Sequence, residues 1–262
     1  YRFDYVVIGS DQVWNPQISG ESIDLSFWGD FTNSKKISIA SSSGSYKYTN
    51  DDYKKILPLL RDFKSISVRE NFLKLQLQKN NIDAQTILDP TLLYGKSNWN
   101  KEIMKMSTIN LPGEDYIFVY FVITTYKEYR KYIEFLKKEL GLKVLLIDRY
   151  NIKYDCVDYH IKSATPIDFV NLIKNSTYVL TDSFHGTAFS TIFEKNVSVL
   201  KTSNYKRSLN LLETIRADYK MFSNLEDLKL NFERPIDYFS ANEILNKKIE
   251  EGKNYILDSI NI

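Results

Sequence analysis

Two α/β domains of Rossmann type facing a cleft are what this chain predicts, and three observations carry the prediction. From Tyr116 to Leu200, strand-like and helix-like runs alternate, with helices of about ten residues or more, the pattern of right-handed βαβ units and a parallel sheet. In the first hundred residues, short β-branched runs end in Gly, Ser, Asp or Pro, with helical stretches between some of them. The length of 262 residues suffices for two domains of ordinary size, each burying a core.

Taken in order, the first strands are Val6 to Ile8, Lys36 to Ala40, Ser65 to Val68 and Gln85 to Leu88. Asp51 to Phe63 sets Tyr53, Ile56, Leu57 and Leu60 at helical spacing, against which Pro58 counts, and Asn71 to Lys79 repeats the pattern less regularly. Residues 94–115, with Gly95, Pro112 and Gly113 around a weak helix, read as the crossover to a second domain. There the reading is strand Tyr116 to Ile123, helix Lys127 to Leu140 closed by Gly141, strand Lys143 to Ile147, helix Pro166 to Lys174, strand Tyr178 to Leu180, a helix through Phe193, and strand Val197 to Leu200. Helices at Ser208 to Ile215 and Ala241 to Leu257 finish the chain. The domains are expected at 1–110 and 111–262, the second carrying the C-terminal helix. The sequence opens Tyr1-Arg2-Phe3-Asp4-Tyr5 without Met and enters a strand at once, so the first domain is expected to be incomplete at its N-terminus.

Composition narrows the function. Hydrophobic residues at 43% and charged residues at 26% describe a soluble globular chain rather than a disordered one. A net charge of +2 gives no general attraction for nucleic acid, and no apolar run approaches the length that crosses a bilayer. One cysteine, Cys156, excludes an internal disulfide and a cysteine-built metal site, and suits a reducing, cytoplasmic compartment. His160, in a polar stretch with Asp155 and Asp158, lacks ligand spacing and reads as a surface or hinge residue; no metal or cofactor is expected.

The most informative segment is Thr181-Asp182-Ser183-Phe184-His185-Gly186-Thr187-Ala188-Phe189, a buried strand end turning into a helix. Asp182 and Ser183 are N-cap candidates, and the helix N-terminus, at the strand edge where α/β folds bind ligands, favours an anion beside His185, one of only two histidines. Gly9-Ser10-Asp11-Gln12-Val13-Trp14-Asn15-Pro16 comes directly after the first strand. Gly9 permits a tight turn, and Ser10, Asp11, Gln12 and Asn15 either bind hydroxyls and phosphates or cap a helix while Trp14 packs in the core. Arg69, ending Ser65-Ile66-Ser67-Val68, either grips a carboxylate or phosphate in two-pronged fashion or is a surface arginine paired with Glu70. Asp89, in Leu88-Asp89-Pro90-Thr91, either accepts a substrate hydroxyl or caps the segment beginning at Pro90.

Together the blocks 7–16, 67–70, 88–93 and 181–190 resemble the polysaccharide pyruvyl transferase family in order and spacing, over residues 5 to about 200. The resemblance implies a GT-B-like pair of domains, usually with a further βα unit upstream. It also implies transfer of the enolpyruvyl unit of phosphoenolpyruvate to a saccharide or lipid-linked saccharide, forming a pyruvate ketal on a cell-surface polysaccharide. The expected place is the cytoplasm, either free or at the inner face of the membrane. The N-terminal domain would serve the acceptor and the C-terminal domain the donor.

Carried over by residue, the resemblance makes His185 the general acid and Arg69 the grip on the phosphoenolpyruvate anion. The N–H groups from Phe184 to Gly186 add positive potential, and Gly9, Ser10, Asp11, Gln12, Asp89 and Ser183 line the substrate. Characterised members commonly carry arginine two positions before the histidine, where this chain has Ser183; Lys206 or Arg207 is the expected substitute cation. Two other functions fit these residues. One is a GT-B-type glycosyltransferase using a nucleotide sugar, for which Tyr120, Asp148 and Asp182 are the candidate contacts. The other is a catalytically silent carbohydrate-binding relative. The oligomeric state and the acceptor sugar are left open.

Overall fold

In the computed structural model, residues 3–18, 20, 22–148 and 154–260 are described. The chain divides into two compact units, residues 1–93 together with 243–262, and residues 94–242.

The first unit begins with strand β1 (Tyr5–Ile8), β2 (Lys35–Ser38), helix α1 (Asn50–Leu60), β3 (Phe63–Ser65), β4 (Ser67–Val68), α2 (Asn71–Gln78), β5 (Gln85–Thr86) and the short α3 (Pro90–Tyr94). β1, β2 and β3 form a parallel sheet in that order, with Ile8 opposite Ser38, and β4 pairs with β5 in a second parallel ladder. Single bridges from Asp11 to Ser41 and from Ser41 to Val68 carry the pairing from one ladder toward the other. α1 starts from a capping box in which Thr49 and Asp52 exchange side-chain and backbone bonds. Pro58 sits inside α1 without breaking it, because the helix ends two residues later and only one interior hydrogen bond is forfeited. The core gathers around Trp14 and Trp28, whose rings stack at 4.5 Å, over Ile56, Leu60, Leu73 and Leu77.

The second unit holds α4 (Lys96–Met106), β6 (Tyr116–Tyr120), α5 (Tyr126–Leu140), β7 (Lys143–Ile147), β8 (Tyr159–Ile161), α6 (Pro166–Asn175), β9 (Tyr178–Thr181), α7 (Phe184–Ile192), β10 (Asn196–Leu200), α8 (Lys206–Thr214), β11 (Met221–Phe222) and α9 (Leu225–Asn231). Its six strands are parallel, in the order β11-β10-β9-β6-β7-β8. The chain runs outward from β6 to β8, then returns to the other side of β6 to lay down β9. The β6/β9 junction is therefore the topological switch point, the place at which open α/β sheets leave a crevice at their carboxyl edge. Capping boxes start α5 (Thr125 with Glu128) and α6 (Thr165 with Asp168), and Gly141 ends α5 at φ 65°.

The division between the units departs from the expected 110/111. α4 belongs with the second unit because Trp99 packs its edge on Phe189 at 5.0 Å, and because Asp168 accepts from Ser107 Oγ and the N–H groups of Thr108 and Ile109. The last helix, α10 (Tyr238–Ile260), begins in the second unit, and its residues from Glu243 onward belong to the first. There Tyr255 donates to the Ser38 carbonyl at 2.9 Å, Ser65 and Ser259 share a 2.7 Å hydrogen bond, and Gly252 lies against Leu93 with no room for a Cβ. An amphipathic run shows that a helix buries one face, not which domain receives it.

Candidate functional site

In the second unit, β9 ends at the switch point in Thr181 and the chain turns into α7. Of the two N-cap candidates, Ser183 is the cap: its backbone is extended and its Oγ accepts the Gly186 N–H at 3.3 Å. Asp182 does something else. Its buried carboxylate accepts the N–H groups of Val122, Ile123 and Thr124 at 2.7, 3.1 and 2.8 Å, fixing the loop after β6. A side chain thus fills what would otherwise be a nest of amide donors for a bound anion. Gly186, expected among the ligand contacts, is spent on packing, since a Cβ there would lie 2.5 Å from Thr181 Oγ1. That hydroxyl donates to the Tyr120 carbonyl and accepts from Ser183 N, so strand, turn and helix are locked together.

This frame presents His185 as the second residue of α7, half-buried, with its imidazole edge-on to Phe184 at 5.4 Å. Lys206 and Arg207, just ahead of the helix expected from Ser208, are the first residues of α8, and the Arg207 guanidinium lies over the Phe184 ring at 5.5 Å. Ser183, Phe184, His185 and Arg207 therefore form one cluster. Of the backbone donors expected to hold an anion, that of Gly186 is already used by the cap.

The first unit gathers its candidates at the ends of β1, β2, β4 and β5. Arg69 comes just after β4 and is buried rather than a surface residue. Its partner is not Glu70 but Asp89, Nη2 to Oδ2 at 2.6 Å, both side chains almost inaccessible. Nη2 also donates to Ser10 Oγ, which in turn donates to Asp89 at 2.9 Å, and Nη1 stands 3.6 Å from Asp11. Asp89 completes its bonding by capping α3 through Thr91 N and Oγ1 at 2.8 and 2.6 Å. One prong of Arg69, Nη2, is thus engaged with a carboxylate of its own chain, and the Asp89 side chain that receives it is buried.

Gly9 does not supply the turn. The left-handed residue is Asp11, at φ 70°, and a Cβ on Gly9 would meet nothing within 4 Å. No helix comes directly after β1, so Ser10 and Asp11 cap none, and Trp14 is in the core. Gln12 lies near the others, but its amide oxygen accepts from Asn15 Nδ2 at 2.8 Å and packs on Gly44.

Sequence reasoning missed Ser41-Ser42-Ser43-Gly44, the turn after β2, although a polar run directly after a strand was the signal used elsewhere. Ser41 bridges Asp11, beyond the end of β1, to Val68 of β4, its carbonyl accepting Arg69 N at 3.0 Å, while Glu70 turns inward to hold Ser42 Oγ and Ser43 N, both at 3.0 Å.

His160 is not at a hinge. It lies in β8 and meets Asp148 Oδ1 through Nε2 at 2.8 Å, while Asp155 and Asp158 pair with Arg130 and Lys137. Asp148, Asp182 and Tyr120, the candidates for nucleotide contacts, all hold the edge of their own sheet; burial, then the nearby Asp182 carboxylate, raises the Tyr120 hydroxyl above the ordinary tyrosine range. Among the described residues, no group of three or more His, Cys, Asp or Glu is placed to hold a metal, and no helix is long and apolar enough to cross a membrane.

The family model for polysaccharide pyruvyl transferase matches residues 1–204, which includes the first cluster and Ser183, Phe184 and His185 of the second, and stops short of Arg207. The chain belongs to the polysaccharide pyruvyl transferase family. A family role in transferring pyruvyl groups to polysaccharide comes with that membership. No curated protein matches the chain. Among solved structures, it is similar to the UDP-N-acetylglucosamine 2-epimerase of Rickettsia bellii, with 13% identity over 98% of this chain and 75% of that one and a TM-score of 0.59. The Neisseria meningitidis UDP-GlcNAc 2-epimerase, bound to UDP-GlcNAc, gives 12% over 98% and 75%, with a TM-score of 0.58. The Methanocaldococcus jannaschii UDP-GlcNAc 2-epimerase, in complex with UDP-GlcNAc and UDP, gives 10% over 93% and 75%, at 0.53. At such identities the likeness concerns the fold alone, a Rossmann-like pair of domains of GT-B type.

Proposed function

We propose that this pyruvyl transferase family member takes the pyruvyl group from phosphoenolpyruvate and sets it as a cyclic ketal on a sugar of a cell-surface polysaccharide, or on its lipid-linked precursor. The observation that carries the reading is His185, raised on a rigidly capped helix at the switch point with the Arg207 guanidinium against its neighbour Phe184. Protonation of the methylene carbon by His185 leaves C2 cation-like, and a sugar hydroxyl adds there. A second hydroxyl then displaces phosphate. Of the two hydroxyl protons, one restores His185 and the other leaves with phosphate, so the products are the ketal and inorganic phosphate. Imidazole is the side chain suited to donate near neutral pH.

In this scheme the second unit serves the donor, with Arg207 answering the negative charge that Ser183 does not. The first unit serves the acceptor, and Arg69 is a positioning residue that holds Ser10, Asp11 and Asp89 in place. A nucleotide-sugar glycosyltransferase gains no support from Asp148 or Asp182, whose carboxylates are engaged within their own sheet.

Ligand-dependent thermal shifts separate the readings: phosphoenolpyruvate should raise the melting temperature, and UDP-sugars or CMP-sialic acid should not. His185→Ala should lower acceptor-dependent phosphate release by about 10²–10⁴-fold with the fold intact. Near-normal turnover in a folded His185→Ala protein removes the general acid.

A further inference from the structure

The first unit carries a hollow of about 300 Å³ beside the Asp11 turn, lined by Asp11, Gln12, Val13, Asn15, Ile18 and Phe27. From it we infer a subsite for one pyranose ring, with Phe27 and Ile18 against the apolar face of the sugar and Asp11 and Gln12 bonding its hydroxyls. This rests on the reading of the first unit as the acceptor side and names what that side holds.

The volume is at the lower end for small-molecule sites and suits a single ring. The composition of the walls suits it as well: a sugar presents C–H groups on one face and hydroxyls around its rim, and this hollow sets an aromatic ring and a branched aliphatic chain beside a carboxylate and an amide. Phe27 is 40% exposed and Ile18 61% exposed. Scattered apolar exposure is ordinary, but here the two converge on one concavity.

The aromatic wall is rigid. Phe27 belongs to a single 3₁₀ turn, Leu25–Trp28, capped by Asp24 and closed by Gly29 at φ 70°. Its carbonyl accepts Trp14 Nε1 at 2.8 Å, and the next residue, Trp28, is stacked on Trp14 in the core. A ring whose backbone is fixed this firmly gives up little main-chain freedom on binding.

The polar wall is equally defined. Asp11 is held in the left-handed region from both sides, its carbonyl accepting Ser42 N at 2.9 Å and its backbone bridging to Ser41, while its side chain is 59% exposed. Backbone strain that surrounding structure enforces is characteristic of ligand-binding positions. Gln12 has its amide oxygen committed to Asn15, so its Nε2 is the donor end, and no described residue accepts from it. Asn15, 2% exposed, is a positioning residue: it orients Gln12 through Nδ2 and takes Gln17 N on Oδ1.

The test uses methyl glycosides of glucose, galactose and mannose, probes that keep the 4,6-diol a cyclic ketal needs. Their binding is followed by saturation-transfer-difference NMR, with phosphoenolpyruvate titrated separately by calorimetry. Wild-type protein should bind at least one glycoside in the millimolar range, with saturation strongest on one face of the ring. Phe27→Leu, which keeps bulk and loses the ring, and Gln12→Ala should each weaken that glycoside at least about tenfold with phosphoenolpyruvate affinity unchanged. Absence of glycoside binding by the wild type, or unchanged affinity in either variant with a wild-type circular dichroism spectrum, overturns the subsite. Glycoside binding that depends on Phe27 in a protein that ignores phosphoenolpyruvate upholds the subsite and counts against the proposed donor.

Discussion

Removing the Arg69 guanidinium should cost the first unit far more than a surface arginine would. Arg69 and Asp89 are an ion pair at 2.6 Å with side chains 3% and 2% exposed, and deleting one member strands the other charge away from water. Breaking such a pair costs about 3–5 kcal/mol. Asp89 keeps three donors in Arg69→Met, namely Ser10 Oγ, Thr91 N and Thr91 Oγ1, so the lower end, about 3 kcal/mol, is the expected loss. That is a large share of the roughly 5–15 kcal/mol by which domains are stable. Two of the three tryptophans, Trp14 and Trp28, are stacked in the first unit's core, and the third, Trp99, is in the second unit. In a Trp99→Phe background, tryptophan fluorescence therefore reports the first unit alone. With a urea slope of about 2 kcal/mol/M, the midpoint should fall by about 1.5 M. Adding Asp89→Asn should recover part of the loss, because no charge is then left buried. A midpoint within about 0.3 M of the parent would show that the pair does not hold these strand ends, and the positioning role of Arg69 would fall with it.

The sequence displayed the frame of both clusters but not their wiring. Most of the alternation from β6 to β10 was legible because strands such as β6 and β9 are buried on both faces and read as near-continuous apolar runs, as in Tyr116–Tyr120 and Tyr178–Thr181. The strand-end blocks were legible because polar residues directly after such runs fall at one edge of the sheet. What Asp182 and Asp89 do there was not, since a carboxylate has several ways to spend its lone pairs. One reaches 60 residues back to Val122 and the other 20 back to Arg69. β8 escaped notice because an edge strand of three half-buried residues has no hydrophobic period, and with it the pairing of His160 was lost. β3 and β4 were read as one strand because Ser65-Ile66-Ser67-Val68 alternates throughout, whereas Ser65 turns to Ser259 and Ser67 to Ser38.

Gly186→Ala should destabilise the second unit and lower activity together, because the new Cβ would meet Thr181 Oγ1 at 2.5 Å; a wild-type melting temperature in that variant would disprove the tight helix-to-strand contact. Lys220 is buried, donating to the carbonyls of Asn231 and Phe232, and desolvation, with the Arg234 charge behind it, lowers it from 10.5 to about 8. Between those values the unfolded chain binds more protons than the folded one, so stability should rise with pH above about 8, and Lys220→Met should flatten that slope. An identical slope in the variant would remove Lys220 as its source. The last outcome concerns the charge missing at Ser183. That residue is committed to capping α7, a task an arginine side chain has no acceptor to perform, so the positive charge must come from another element. Arg207 meets the requirement: it stands at the start of α8 with its guanidinium over Phe184, one residue from His185. A charge pair at about 4 Å is worth roughly 4 kcal/mol at an intermediate dielectric, and part of that is lost to screening at a half-buried position. Arg207→Ala should accordingly raise the phosphoenolpyruvate dissociation constant at least about tenfold, or roughly 1.4 kcal/mol, by calorimetry. Ser183→Ala should cost about 1 kcal/mol of stability through the lost cap and leave donor affinity alone. If Ser183→Ala weakens the donor and Arg207→Ala does not, the serine itself contacts the anion and the substitution of one cation for another is wrong.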